Sequence, residues 1–268
     1  MTLDNFGCLL INNARSKSYI QALSKKSFLP SFVIFLDIEG KKTEGVLKSG
    51  TTEAEIVRQS FNNRQYFFYD TQRRESAVPT DYKKPEKYLF FDPEKDVVEF
   101  LEENGVNHRV IQCKSINDDN VVDAISKAKP VFFLFGGGGI LRKAMFNTGK
   151  RFIHIHPGEI PYFRGSQCIE WSILYGKPCV ATAFFMTEKI DDGEVILQKE
   201  YANPELENNN IASLYSSYIR TDTMLDAIER FVIDGKFQQS NLGSDGPGTF
   251  YKMHPVLTNL VFNKLEKP

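Results

Sequence analysis

The segment "PVFFLFGGGGILRKAMFNTGKRFIHIHPG", residues 130–158, sets two apolar runs on either side of four consecutive glycines. The first run, PVFFLF, is short, aromatic and bounded by proline and glycine, so it reads as a buried strand. In the second, RFIHIH (151–156), the period of two in a strand places His154 and His156 on one face. Glycines directly after a parallel strand let backbone approach a ligand closely. The run lacks both the G-K-[ST] of a phosphate loop and the G-x-G-x-x-G spacing of a dinucleotide site. By itself it therefore reads as a ligand-facing turn, with a plain flexible loop left open.

Outward from this segment the chain alternates strand and helix. FGCLLIN (6–12) is an apolar run between polar residues. RSKSYIQALSKKS (15–27) carries Tyr19, Ile20 and Leu23 at helical spacing, and SFVIFLD (31–37) is a second buried strand. PEKDVVEFLEENG (93–105) follows as a helix, with Asp92 as its cap, a stripe of Val97, Val98, Phe100 and Leu101, and Gly105 at its end. HRVIQC (108–113) is a strand and NDDNVVDAISKAK (117–129) a helix. This alternation predicts an α/β fold around a parallel sheet. Residues 58–87 break the rhythm, with seven Lys or Arg against four Asp or Glu. They read as a solvated excursion; the sharper alternative is a surface that meets a phosphate-bearing substrate. Near the C-terminus, residues 205–236 predict a long amphipathic helix. GSDGPGTFY (243–251) predicts a turn-rich hairpin, and a short helical or irregular tail follows.

The 268 residues are 41% hydrophobic and 25% charged, enough for one large domain or a domain with an appendage. The formal net charge of -1 gives no whole-chain attraction to nucleic acid or an anionic membrane. The four cysteines have no C-x-x-C spacing and read as buried thiols of a reducing compartment. The N-terminus has no basic flank before its short apolar core, and no run reaches membrane-spanning length. A cytoplasmic protein is expected.

Two features carry chemistry. As core residues, the histidines would be satisfied by backbone carbonyls. At the carboxyl end of a strand they would point into the crevice where open α/β sheets bind ligands. Downstream, FFMTEKIDDGEVILQKEY (184–201) holds Asp191 and Asp192 in a turn closed by Gly193. That is either a plain hairpin turn or a carboxylate carried back to orient an imidazole. A metal-dependent hydrolase would use the same residue types, but the sequence has no further His or Cys cluster to complete a zinc set. No metal is expected.

The stretch "HIHPGEIPYFRGSQCIEWSILYGKPCVATAFFMTEKIDDGEVILQ" (154–198) resembles the signature of the 10-formyltetrahydrofolate-dependent formyltransferases. That signature has an Asn-x-His-Pro turn, Leu-Pro and Arg-Gly pairs, a helix, a strand, and Asp-x-Gly before Ile-Leu. The likeness spans about residues 131–200. It implies an α/β, Rossmann-like catalytic core with a mainly parallel twisted sheet over residues 1–200. A C-terminal helix and short hairpin or tail, residues 201–268, would pack on that core. It implies 10-formyltetrahydrofolate as formyl donor, His156 and Asp191 as catalytic residues, and His154 in the place of the catalytic asparagine. An imidazole can also donate an N–H to the formyl oxygen. It further implies Gly138, Gly139, Ile140, Leu141 and Asp192 on the folate side, and Tyr162, Arg164 and Gly165 on the substrate side.

"GTFYKMHPVL" (248–257) looks like the Tyr-x-x-His-Pro stretch of some sugar N-formyltransferases. Residues 140–165 look most like relatives assigned to pseudaminic-acid-type amino sugars. The resemblance thus implies a small, nucleotide-linked amino-sugar substrate of surface-glycan biosynthesis, with no nucleic acid and no membrane partner. A homodimer stays open. The methionyl-tRNA enzymes carry a further C-terminal barrel, whereas residues 201–268 hold six Lys or Arg against eight Asp or Glu, a poor match to a phosphate backbone. The purine-pathway enzymes are shorter before the catalytic turn. A folate-binding relative without catalysis is the remaining alternative.

Overall fold

The computed structural model describes residues 2–39, 88, 90–137, 139–204, 214–240 and 248–265. The basic stretch 58–87 and Gly138 lie outside the described residues, as do residues 205–213 of the expected C-terminal helix. Nine strands are described: β1 Thr2–Leu10, β2 Leu29–Ile38, β3 His108–Cys113, β4 Phe132–Phe135, β5 Arg151–His156, β6 Arg164–Gly165, β7 Cys179–Phe185, β8 Val195–Tyr201 and β9 Thr249–Phe250. The described helices are α1 Ala14–Lys25, α2 Val97–Glu103, α3 Asp119–Lys127, α4 Lys143–Phe146, α5 Cys168–Leu174, α6 Ser216–Asp234 and α7 Pro255–Leu265.

Seven strands form one sheet in the order β3-β2-β1-β4-β5-β7-β8. The first five in this order run parallel. β7 and β8 join antiparallel, linked by the loop that holds Asp191. The strand order reverses between β1 and β4, and the carboxyl ends of those strands open the crevice in which such sheets bind ligands. Gly136, at the end of β4, bonds back to Leu9 at the end of β1 (N–H to O, 2.8 Å).

Helices cover both faces, so the central strands read as almost unbroken apolar runs. On one face Phe6, Leu10, Leu134, Ile153 and Ile155 pack with Tyr19 and Leu23 of α1 and Ile219 and Met224 of α6. On the other, Leu9, Ile34, Phe133 and Phe152 pack with Val121 and Ile125 of α3. Each such side chain contributes about 1.5–3 kcal/mol by leaving water.

The helix over residues 97–103 is capped by Asp96, not by Asp92. The Asp96 carboxylate accepts from Val98 N at 2.8 Å and from Glu99 N at 3.3 Å, the spacing a capping side chain can reach. Asp92 lies too far upstream for that. Its carboxylate accepts from Glu94 N, and its backbone exchanges two bonds with the Gln21 side chain. Of the hairpin expected over 243–251, residues 243–247 lie outside the described residues. Thr249 and Phe250 pair in parallel with Arg164 and Gly165. The tail is helical from Pro255. All four cysteines are buried free thiols. Among the described residues no helix is long and apolar enough to cross a membrane.

Candidate active site

β5 carries both histidines to its carboxyl end, where His154 pairs with Phe184 and His156 with Thr182 of β7. Both side chains face the same way, with ring centroids 6.4 Å apart. His154 is 8% and His156 2% exposed. Asp191 comes back from the β7–β8 loop in a left-handed conformation, φ +46°. Its Oδ2 lies 3.4 Å from His156 Nδ1 and accepts the Gly165 N–H at 2.8 Å. On the far side of the ring, His156 Nε2 lies 2.8 Å from the Phe163 carbonyl oxygen.

Two glycines make this packing feasible. At Gly158 an added Cβ would lie 2.4 Å from Phe163 O, 2.6 Å from His156 Nε2 and 2.8 Å from Cys168 Cβ. At Gly165, φ +98°, it would lie 2.1 Å from Phe250 O. The loop between them is pinned from β7 and β8. Thr182 Oγ1 donates to Gly158 O at 2.7 Å and Gln198 Nε2 to Ile160 O at 2.6 Å.

His156 is bracketed by acceptors on both ring nitrogens. A neutral imidazole has one proton to give, so one lone pair faces either a carboxylate or a carbonyl; only the imidazolium satisfies both. Burial opposes that charge and outweighs the Asp191 carboxylate, so the His156 pKa lies below the usual 6.5. Burial lowers His154 further, helped by the charges of Arg15 and Arg220. Both rings are thus neutral near pH 7, and His156 is a base whose protonated form fits its surroundings. His154 Nδ1 is buried without a hydrogen-bond partner.

A ring nitrogen of each histidine and an Asp191 oxygen lie within 4.8 Å of one another, a donor set that could hold a metal ion. The two arginine charges bearing on both rings disfavour another cation there. The set is better suited to moving a proton.

The glycine turn follows β4. Asn13 Nδ2 donates to Gly136 O at 3.1 Å, and Gly137 (φ +112°) and Gly139 (φ +144°) adopt conformations that favour glycine. Ile140 is 66% exposed beyond them, its carbonyl held by Asn117 Nδ2 at 2.9 Å. Gly137 is buried, whereas Gly139 and Ile140 are exposed at this end of the sheet. Leu141 is buried in the core on the α3 side. Asp192 points elsewhere. Its carboxylate lies 3.7 Å from Lys189 Nζ, and it lines a separate hollow of about 420 Å³ with Lys150, Arg151 and Glu194. Tyr162 is 48% exposed, and Arg164 Nε is buried without a partner. The fold therefore gathers His154, His156, Asp191 and Gly165, turns Asp192 towards Lys189 and Leu141 into the core, and leaves Tyr162 exposed one residue before Phe163. Sequence reading missed Gly158, signalled only by the Pro-Gly pair after His156, and Arg220, signalled by nothing local.

Comparison with known proteins shows the family. The profile of the formyl transferase family matches residues 47–216. A methionyl-tRNA formyltransferase of Campylobacter lari is 26% identical over 166 residues, 60% of this chain and 48% of that protein. The chain spans about half or less of the length of the curated relatives it matches. Two solved structures share the fold over 97% of this chain and 87% of theirs. One is a sugar N-formyltransferase from a Shewanella species (TM-score 0.52, 16% identity). The other is a 4-N formyltransferase from Francisella tularensis (TM-score 0.52, 14% identity). With the family profile matching well over half of the sequence, the chain belongs to the formyl transferase family.

Proposed function

We propose that this protein transfers a formyl group from 10-formyltetrahydrofolate to the amine of a nucleotide-linked amino sugar, of the pseudaminic-acid type. Asp191 set against His156 at the carboxyl end of a parallel sheet is the observation that carries the reading. We assign residues 1–200 to the catalytic core and 201–268 to a C-terminal element resting on it.

Bound 10-formyltetrahydrofolate supplies the formyl group; Gly139 and Ile140 would hold it by their backbone. His154, neutral and carrying one N–H, donates to the oxygen that gains charge as the amine adds. His156 takes the proton that the amine must lose, the imidazolium being matched by Asp191 and the Phe163 carbonyl, and returns it to the folate nitrogen as the bond from that nitrogen to the formyl carbon breaks. Asp191, fixed by the Gly165 N–H, keeps the ring oriented. Tyr162 and Arg164 border the substrate side.

The sugar reading is supported by the Tyr-x-x-His-Pro tail and by the description of the Shewanella protein. The curated relatives favour a second reading, methionyl-tRNA as acceptor, against which stands the acidic balance of residues 201–268. The test is to incubate the protein with 10-formyltetrahydrofolate and a panel of nucleotide-linked amino sugars, with charged methionyl-tRNA in parallel. A mass gain of one formyl group on a sugar is expected. Formylation of the tRNA alone would overturn the sugar reading, and folate binding without any transfer would overturn catalysis. Metal analysis showing stoichiometric zinc would turn the site towards hydrolysis.

A further inference from the structure

Arg220 sits on α6, which packs against β5 and β7, and its side chain is 8% exposed. Its Nη1 donates to the carbonyl of Ile155, the residue between the two imidazoles. Its Nε donates to Ser216 Oγ at 3.0 Å, and Tyr19 of α1 interacts favourably with the guanidinium. Among the described residues no carboxylate lies within 4.0 Å of it. A buried cation without an ion-pair partner is costly. Packing alone would call for an apolar side chain, as at Ile219, Met224 and Ala227 on the same helix.

We propose that Arg220 is a positioning residue for the histidine pair, fixing the end of β5 through the Ile155 carbonyl and presenting its positive charge to both imidazoles. Its catalytic meaning rests on the formyl-transfer reading; its effect on the imidazoles does not. The groups facing the rings come from four elements: Arg15 from α1, Arg220 from α6, Asp191 from the β7–β8 loop, and the other histidine on β5. Two cations thus face one carboxylate. The Cys168 thiol on α5, pushed up by burial, stays uncharged. Arg220 itself is lowered to about 9, by burial first and Arg15 next, and so remains cationic at neutral pH. Its charge lowers the pKa of both histidines. The base is thereby kept free of a proton until the amine supplies one, while the strand that carries it is held still.

The experiment follows the imidazole resonances of histidine-labelled protein against pH, in the parent and in Arg220→Gln and Arg220→Lys. In the parent, both midpoints are expected below the ordinary 6.5. In Arg220→Gln both should move up, and the acidic limb of the turnover profile should move up with them. In Arg220→Lys, which keeps the charge, they should stay near the parent's. Unmoved midpoints in a folded Arg220→Gln protein would overturn the proposal and leave Arg220 a structural residue. If that variant does not fold, the parent decides: a His154 midpoint at or above 6.5 overturns the proposal. Shifted midpoints in a protein without transfer activity would uphold the positioning role and count against the proposed function alone.

Discussion

Adding one methyl group at residue 158 probes the site more sharply than deleting a side chain. In Gly158→Ala the new carbon lies 2.4 Å from Phe163 O, 2.6 Å from His156 Nε2 and 2.8 Å from Cys168 Cβ. Ordinary contacts need about 3.5–4.0 Å, so each neighbour must retreat by roughly 1 Å. None is free to do so. The Gly158 carbonyl is held by Thr182 Oγ1, the Phe163 carbonyl by His156, and Cys168 is fully buried in α5. Overpacking of this kind costs about 1–3 kcal/mol. Parting His156 from Phe163 leaves a buried group bare, for about 1–3 kcal/mol more. The expected loss is therefore about 2–6 kcal/mol, read as a lowered urea midpoint at constant slope. The comparison variant is Gly105→Ala. There φ is +61° and an added carbon meets nothing within 4 Å, so only the left-handed backbone cost of about 1–2 kcal/mol applies. Should Gly158→Ala lose no more stability than Gly105→Ala, the packing account of the His156 ring is wrong.

Three further outcomes are expected. Asp191→Asn should remove most turnover while Asp192→Asn is milder, since only Asp191 reaches His156; the reverse order in kcat/KM would refute this. His154→Ala should slow transfer about 100- to 1,000-fold, the cost of one lost oxyanion donor, whereas His154→Asn keeps an N–H and should retain part of the activity. An undiminished His154→Ala rate would make His154 a bystander. Acidification should destabilise the fold. Both imidazoles have lowered folded pKa values, so below 6.5 the unfolded chain binds more protons. Stability then falls with falling pH, by at most about 1.4 kcal/mol per unit for each ring, until the folded rings titrate. Denaturation midpoints that stay flat from pH 7 through that window would refute it.

The strands were legible because a sheet covered on both faces writes itself as continuous apolar runs, as at Phe132–Phe135 and Val33–Leu36. The histidine pair was legible because a period of two is a local property. Asp191 needed more. Its return onto His156 depends on a nine-residue loop, and only the family resemblance singled it out from Asp192. The pairing of Thr249 and Phe250 with Arg164 and Gly165 joins two residues to two across some 85 positions, and no local pattern encodes it. Arg220 was invisible for a related reason. In "SSYIRTDT" an arginine reads as solvent-facing, and only the packing of α6 turns it inwards.

That same two-residue ladder gives the molecule an optical consequence. Trp171 is the chain's only tryptophan. Its indole N–H donates to Tyr251 O at 2.9 Å, and its ring lies 5.1 Å from that of Phe250. Ser166 N donates to Phe250 O and Met253 N to Gln167 Oε1 along the same seam. The indole thus spans the joint between the tail and the loop whose next-door Gly165 steadies Asp191. Indole fluorescence comes from a single lamp placed on that joint, so peeling the tail away should register as a spectral change before the sheet itself opens.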